Sequence, residues 1–187
     1  CFLFFGLVTM PAFAHVGHGD HSGFEYGFLH PLGGADHVLA MVGVGLLAAQ
    51  IGGRALWLLP ASFIGMMIVG GALGFSGVDI PFVEPGIAAS VLVVGALVAF
   101  NAGMLVAVAA GLVGLFAVFH GHAHGTELPG GTGPVAFSLG FVLATALLHA
   151  AGNGVGILFG TMARGARVWA SRAVGAAMVA IGATMLA

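Results

Sequence analysis

Lysine is absent from this 187-residue chain, and Lys plus Arg together number only four. So few cations cannot neutralise a run of phosphates, which excludes nucleic-acid binding. Charged residues of both signs make up 5% of the chain, against about 25% in a soluble domain. Such a chain cannot cover its surface with charge. Mean hydropathy is +1.15 and 60% of residues are hydrophobic, so the solvent implied is lipid rather than water. Cysteine occurs once, at Cys1. A disulfide framework and a thiolate metal site are therefore both excluded. No phosphate-binding glycine loop is present, so the chain carries no ATPase of its own. Ser-His-Asp, Cys-His and intramembrane zinc-protease patterns are also missing, and no enzyme activity is expected. The net charge of −2 adds little.

Histidine, in contrast, is plentiful for so apolar a chain, with nine residues. The strongest pattern is His30-Pro31-Leu32-Gly33-Gly34-Ala35-Asp36-His37-Val38-Leu39-Ala40-Met41. Ionisable groups at membrane depth are costly and read as functional. Two imidazoles and a carboxylate are the donors that suit borderline divalent metals. On a helix, a spacing of seven is two turns, so His30 and His37 share a face with Asp36 beside them. Met41 lies one turn further along, and Gly33-Gly34 permits local unwinding. A structural Asp–His pair is the plainer alternative.

A second cluster is His120-Gly121-His122-Ala123-His124-Gly125-Thr126-Glu127, placed in a polar, glycine-rich loop over 120–133. In helical form His120 and His124 share a face and His122 points away. In extended form all three imidazoles fall on one side. The bland reading is a solvated loop. His15, His18 and His21 form a third, weaker cluster of compositional character. Glu84 precedes Pro85 at the start of an apolar run, where a carboxylate also suits a helix N-terminus. His149 lies inside a span, four residues before Asn153, as a ligand or an interhelical hydrogen-bonder. Asp79 reads as a solvated loop residue.

Hydropathy predicts an all-α bundle of six transmembrane helices behind an N-terminal signal peptide. The apolar run 2–8 and the small-x-small sequence Ala12-Phe13-Ala14 place a truncated signal over 1–14, cleaved after Ala14. Residues 15–30 are then a periplasmic, histidine-bearing arm, and 31–187 the membrane domain. The first two spans are expected over 31–51 and 55–73. The run 86–119 would be roughly 50 Å long as one helix, against a bilayer core of about 30 Å. It must fold back, and Asn101-Ala102-Gly103 is the expected turn. The last spans cover 134–160 and 168–187. Gly70 with Gly74, and Gly152 with Gly156 and Gly160, have the four-residue spacing of close helix packing in lipid. Gly152-Asn153-Gly154 could instead break its span, as in transporters with discontinuous helices. With an exported N-terminus, Arg54, Arg164, Arg167 and Arg172 all fall on the cytoplasmic side, as the positive-inside rule requires. Both termini are then periplasmic, in a bacterial inner membrane.

His30-Pro31-x2-Gly34-x-Asp36-His37-x3-Met41, the run from His120 to Glu127, and Leu148-His149-Ala150-Ala151-Gly152 resemble the HupE/UreJ family over essentially the whole chain. These bacterial membrane proteins are associated with hydrogenase and urease maturation and regarded as nickel or cobalt permeases. The resemblance implies a cleaved signal, six spans, and roles for His30, Asp36, His37, Glu84 and Glu127. The expected function is inward transport of Ni²⁺, with Co²⁺ and Zn²⁺ as other cargoes and no tightly bound cofactor. The outer groups His15, His18, His21, His120, His122, His124 and Glu127 would capture the ion. His30, Asp36 and His37 would dehydrate it, with Glu84 and His149 completing its coordination. The expected partners are the divalent ion, the bilayer and cytoplasmic metal chaperones. Two other classes are a membrane metal-binding or sensing accessory protein without transport, and a haem electron carrier using His37 and His149 as axial ligands.

Overall fold

The computed structural model describes residues 23–127 and 133–186. Among them are seven helices: α1 (Gly23–Gly33), α2 (Ala35–Ile51), α3 (Ala55–Phe75), α4 (Val83–Phe100), α5 (Val106–Thr126), α6 (Pro134–Thr161) and α7 (Arg164–Thr184). No strand occurs among the described residues. The expected signal segment over 1–14, and residues 15–22 of the expected arm, lie outside them.

Local chemistry sets most of the boundaries. Gly52 and Gly53 take positive φ of 77° and 55° at the α2–α3 join, a conformation open to glycine at little steric cost. Asn101, at φ 48°, caps α4 in the left-handed region, and its N–H reaches the carbonyls of Leu97 and Val98. Asparagine tolerates that conformation better than most residues, so the long apolar run folds back where expected. Pro134 opens α6, where its missing N–H removes no helical bond.

Two boundaries differ from the sequence-based expectation. Pro31 does not open the first span; it lies within α1, and the break falls at Gly34, where α1 and α2 bend by 82°. Residues 23–30, expected in an arm, are part of that helix. The polar loop expected from His120 begins later, because α5 runs on to Thr126. There Gly121 and Gly125 let α5 approach the α3 backbone at Met67 and Gly71, and tertiary packing overrides their low helix propensity. The close-packing expectation for α6 holds, since the helix passes through Gly152-Asn153-Gly154 without the alternative break. Gly152 packs on the Val42 carbonyl of α2 instead.

Among the described residues four helices, α3 to α6, are long and apolar enough to cross a membrane, and a fifth crossing results if α1 and α2 form one bent span. The helix α7, of 21 residues, includes Arg164, Arg167 and Arg172 and is not among them. Glycine holds the pairs together. Ser62 and Gly114, then Gly70 and Val118, then Gly74 and His122 pack in register, so α3 and α5 run parallel. Gly45 meets His149 and Gly152, and Ala49 meets Gly156, so α2 and α6 also run parallel. Ala99 meets Gly175 and Leu92 meets Gly182, so α4 and α7 are antiparallel. All three relations fit strict up–down alternation from α2 to α7. The four arginines then collect at one end of the bundle. Asp36, His37, Glu84 and the end of α5 collect at the other. Outward-facing Trp57, Leu115, Leu139, Leu147, Leu158 and Trp169 are each more than half exposed. So broad an apolar perimeter matches a lipid environment.

The close approach of α3 and α5 carries a prediction. A Cβ at Gly121 would collide with the Met67 carbonyl, whereas one at Gly111 on the same helix meets nothing within 4 Å. Gly121→Ala is expected to cost about 1–3 kcal/mol through overpacking, and Gly111→Ala nothing. Thermal unfolding in detergent checks this; equal transitions for the two variants would contradict the packing.

Candidate metal centre

A cavity of about 560 Å³ opens at the histidine end of the bundle, and its lining includes His30, Asp36, His37, Glu84, His124 and Glu127. Each arrives by a different local device. The Gly34 break turns the end of α1 toward the start of α2 and so brings His30 and His37 to one space. Phe82 takes a left-handed φ of 61° just before α4, a strained choice for a bulky residue. It precedes the first turn of α4, which bears Glu84. The helical continuation of α5 carries His120 and His124 on one face, one turn apart. His124 is 6% exposed and His120 is fully buried.

The imidazoles touch in series. The rings of His30 and His124 meet edge to face at 4.8 Å. His37 and His124 lie 4.5 Å apart by ring centroids, and their Nε2 atoms face each other at 2.5 Å. His37 and His120 meet edge to face at 5.0 Å. Ligand atoms of His30, His124 and Glu127 all lie within 4.8 Å of one another. The nearest approach of His30 Nε2 and Glu127 Oε2 is 4.0 Å. This trio is the group of at least three potential ligands found at that spacing among the described residues.

Hydrogen bonds assign two of the tautomers. His37 Nδ1 lies 2.8 Å from Asp36 Oδ1. An ionised carboxylate only accepts, so Nδ1 carries the proton and Nε2 presents its lone pair to the cluster. This carboxylate–imidazole pairing orients metal-binding histidines and raises their basicity. Ser90 Oγ donates its one proton to the Ile87 carbonyl at 2.6 Å. It must therefore accept from His120 Nε2, 2.8 Å away. The lone pair of His120 is left on Nδ1, which is buried without a partner. The Nδ1 atom of His124 is likewise buried and unpartnered. Buried polar atoms normally find partners, so these two unpaired imidazole nitrogens are lone pairs that a cation could take up.

The expected residues separate into groups. His30, Asp36, His37, Glu84, His124 and Glu127 share the cavity, and His120 joins it through His37. His122 stands apart: its Nε2–H donates to the Val78 carbonyl at 2.7 Å. It anchors the segment after α3, as the helical geometry requires. His149 is 1% exposed and touches Phe63 rather than the cluster. His120 and Phe63 lie in the contact series between His37 and His149. His15, His18 and His21 lie outside the described residues. Sequence reasoning missed Ser90 and Phe63. Ser90 had a signal: it is the lone hydroxyl in the apolar stretch of α4. Phe63 had none, since α3 is almost wholly apolar and its one hydroxyl, Ser62, turns to α5.

Chemically, the cavity offers neutral nitrogen and anionic oxygen donors and no thiolate. Three carboxylates near its mouth can balance a divalent cation, while the imidazoles can replace shed water. Protons compete for the same nitrogens, so acid weakens such binding.

Comparison with known proteins finds matches over nearly the whole chain. The family described as HupE / UreJ protein matches residues 3–185. "Protein HupE" of Rhizobium leguminosarum bv. viciae is 42% identical over 181 residues, covering 96% of this chain and 93% of the relative. No solved structure matches significantly.

Proposed function

The chain belongs to the HupE/UreJ family, and from that premise we propose that it is a permease carrying Ni²⁺, or a similar divalent transition metal, into the cytoplasm. The observation that carries this reading is the single cavity joining His30, Asp36, His37, Glu84, His124 and Glu127 at one end of an apolar bundle. The metal so supplied would serve hydrogenase or urease maturation, through hand-off to cytoplasmic metal chaperones.

In this reading the histidine end faces the periplasm. His15, His18 and His21, which would follow a cleaved signal, collect scarce ions before they enter the cavity. Glu84, Glu127 and Asp36 compensate charge as hydration is shed. His30, His124 and His37 then replace water, and His120 extends the imidazole series inward. Exit lies toward Arg54, Arg164, Arg167 and Arg172, whose placement on the cytoplasmic side follows the positive-inside rule. A doubly charged ion gains about 4.6 kcal/mol per 100 mV of inside-negative potential, so uptake needs no nucleotide. Imidazole and carboxylate donors suit Ni²⁺, Co²⁺ and Zn²⁺ alike. Cells producing the protein should therefore accumulate radiolabelled Ni²⁺ above cells without it. Unchanged accumulation would remove the proposal.

Orientation has its own test. Alternating helices with the arginines at one end support six crossings. A reporter fused after Arg54 or Arg167 should be cytoplasmic, and one fused near Gly130 periplasmic. A cytoplasmic Gly130 would turn the cavity to the exit side and make efflux or metal hand-off the better reading.

A further inference from the structure

His149 takes no part in the cavity, yet it is placed as a ligand would be. It sits in mid-α6, 1% exposed, and neither of its ring nitrogens has a partner. One turn toward the arginine end is Asn153. Its Nδ2 donates to the Leu56 carbonyl at 3.0 Å, near the start of α3, while its Oδ1 is buried and unpartnered. Residues four apart share a helix face, about 6 Å along the axis. Three unpaired polar atoms on one buried face are destabilising on their own. One turn the other way, the Thr145 hydroxyl is engaged with Met67 Sδ at 3.8 Å.

Between this pair and the cavity stands one ring. Phe63 is 1% exposed. It lies 5.5 Å from His120 and meets His149 edge to face at 5.1 Å. The polar series therefore runs His30, His124, His37, His120, then Phe63, then His149 and Asn153. It ends beside Leu56, next to the arginine-bearing end.

We propose that His149 and the Asn153 amide oxygen form a second, inner station for a divalent cation, divided from the outer cavity by the ring of Phe63. This rests on the transport reading above but is separable from it. The inner station offers a neutral nitrogen and a neutral oxygen, whereas the outer cavity has three carboxylates. It holds the cation more weakly and suits a partly hydrated ion. A weak site after a strong one is what conduction needs, since an ion must be able to leave.

Co²⁺ titration of the full chain in lipid nanodiscs tests the station, alongside Co²⁺ uptake into proteoliposomes. Wild type should show a tight and a weak binding step. His149→Ala should keep the tight step, lose the weak one and slow uptake about tenfold or more. Asn153→Asp supplies a charged ligand and should tighten the weak step about tenfold. The station is overturned if His149→Ala keeps both steps, or if Asn153→Asp leaves the weak step unchanged. If wild type moves no Co²⁺ while the weak step still responds to both substitutions, the station stands and the transport reading falls.

Discussion

Asp36→Asn should weaken divalent-cation binding by about 10- to 100-fold, or 1.4–2.7 kcal/mol, and stop uptake at low metal. The carboxylate does two things that asparagine cannot. It holds His37 Nδ1 at 2.8 Å with a full negative charge, which favours Nε2 as the electron-rich, ligand-side nitrogen. It also lines the cavity, where its charge offsets that of a dehydrating cation. Asparagine preserves the shape and can still accept from Nδ1, so the helix should remain inserted. Isothermal titration with Ni²⁺ checks the affinity, and size-exclusion behaviour in detergent checks the fold. Wild-type affinity in Asp36→Asn would mean that the cavity is not charge-compensated through this residue.

His124→Ala should have the largest effect of any single histidine, about 100-fold or more on affinity. Its ring touches His30 and His37, and it completes the ligand trio with Glu127. Removing it separates the outer donors from the inner imidazoles. His122→Ala, two residues earlier, should leave affinity within about twofold, because His122 is engaged with Val78 on the other face of the helix. The two variants differ by position alone, in the same histidine-rich run. Equal losses would contradict the helical geometry and restore a chelating loop.

Much of this organisation can be read from the chain itself, for physical reasons that are specific to each element. The α4–α5 turn was legible because a bilayer limits helix length and Asn101 is the polar break in a long apolar run. Grouping Asp36 with His37 followed from adjacency. Local pattern could not reveal that α5 continues through Gly121 and Gly125. Two glycines in six residues read as loop unless the α3 backbone against which they pack is known. The bend at Gly34 was partly legible, since Gly33-Gly34 suggested unwinding, yet Pro31 looked like the better helix start. His120 was placed among the candidates, but its tautomer depends on Ser90, thirty residues away. The role of Phe63 depends wholly on tertiary contact, because nothing in so apolar a helix distinguishes one ring from its neighbours.

The most direct measurement of the central claim is Ni²⁺ uptake into proteoliposomes under an imposed inside-negative potential, with wild type and His37→Ala compared in matched preparations. The account predicts that wild type loads the vesicles at a rate that rises with the potential, and that His37→Ala does not load them although it inserts normally. Binding of Ni²⁺ at the cavity without any uptake by wild type would contradict transport, leaving a metal-binding accessory protein of the membrane.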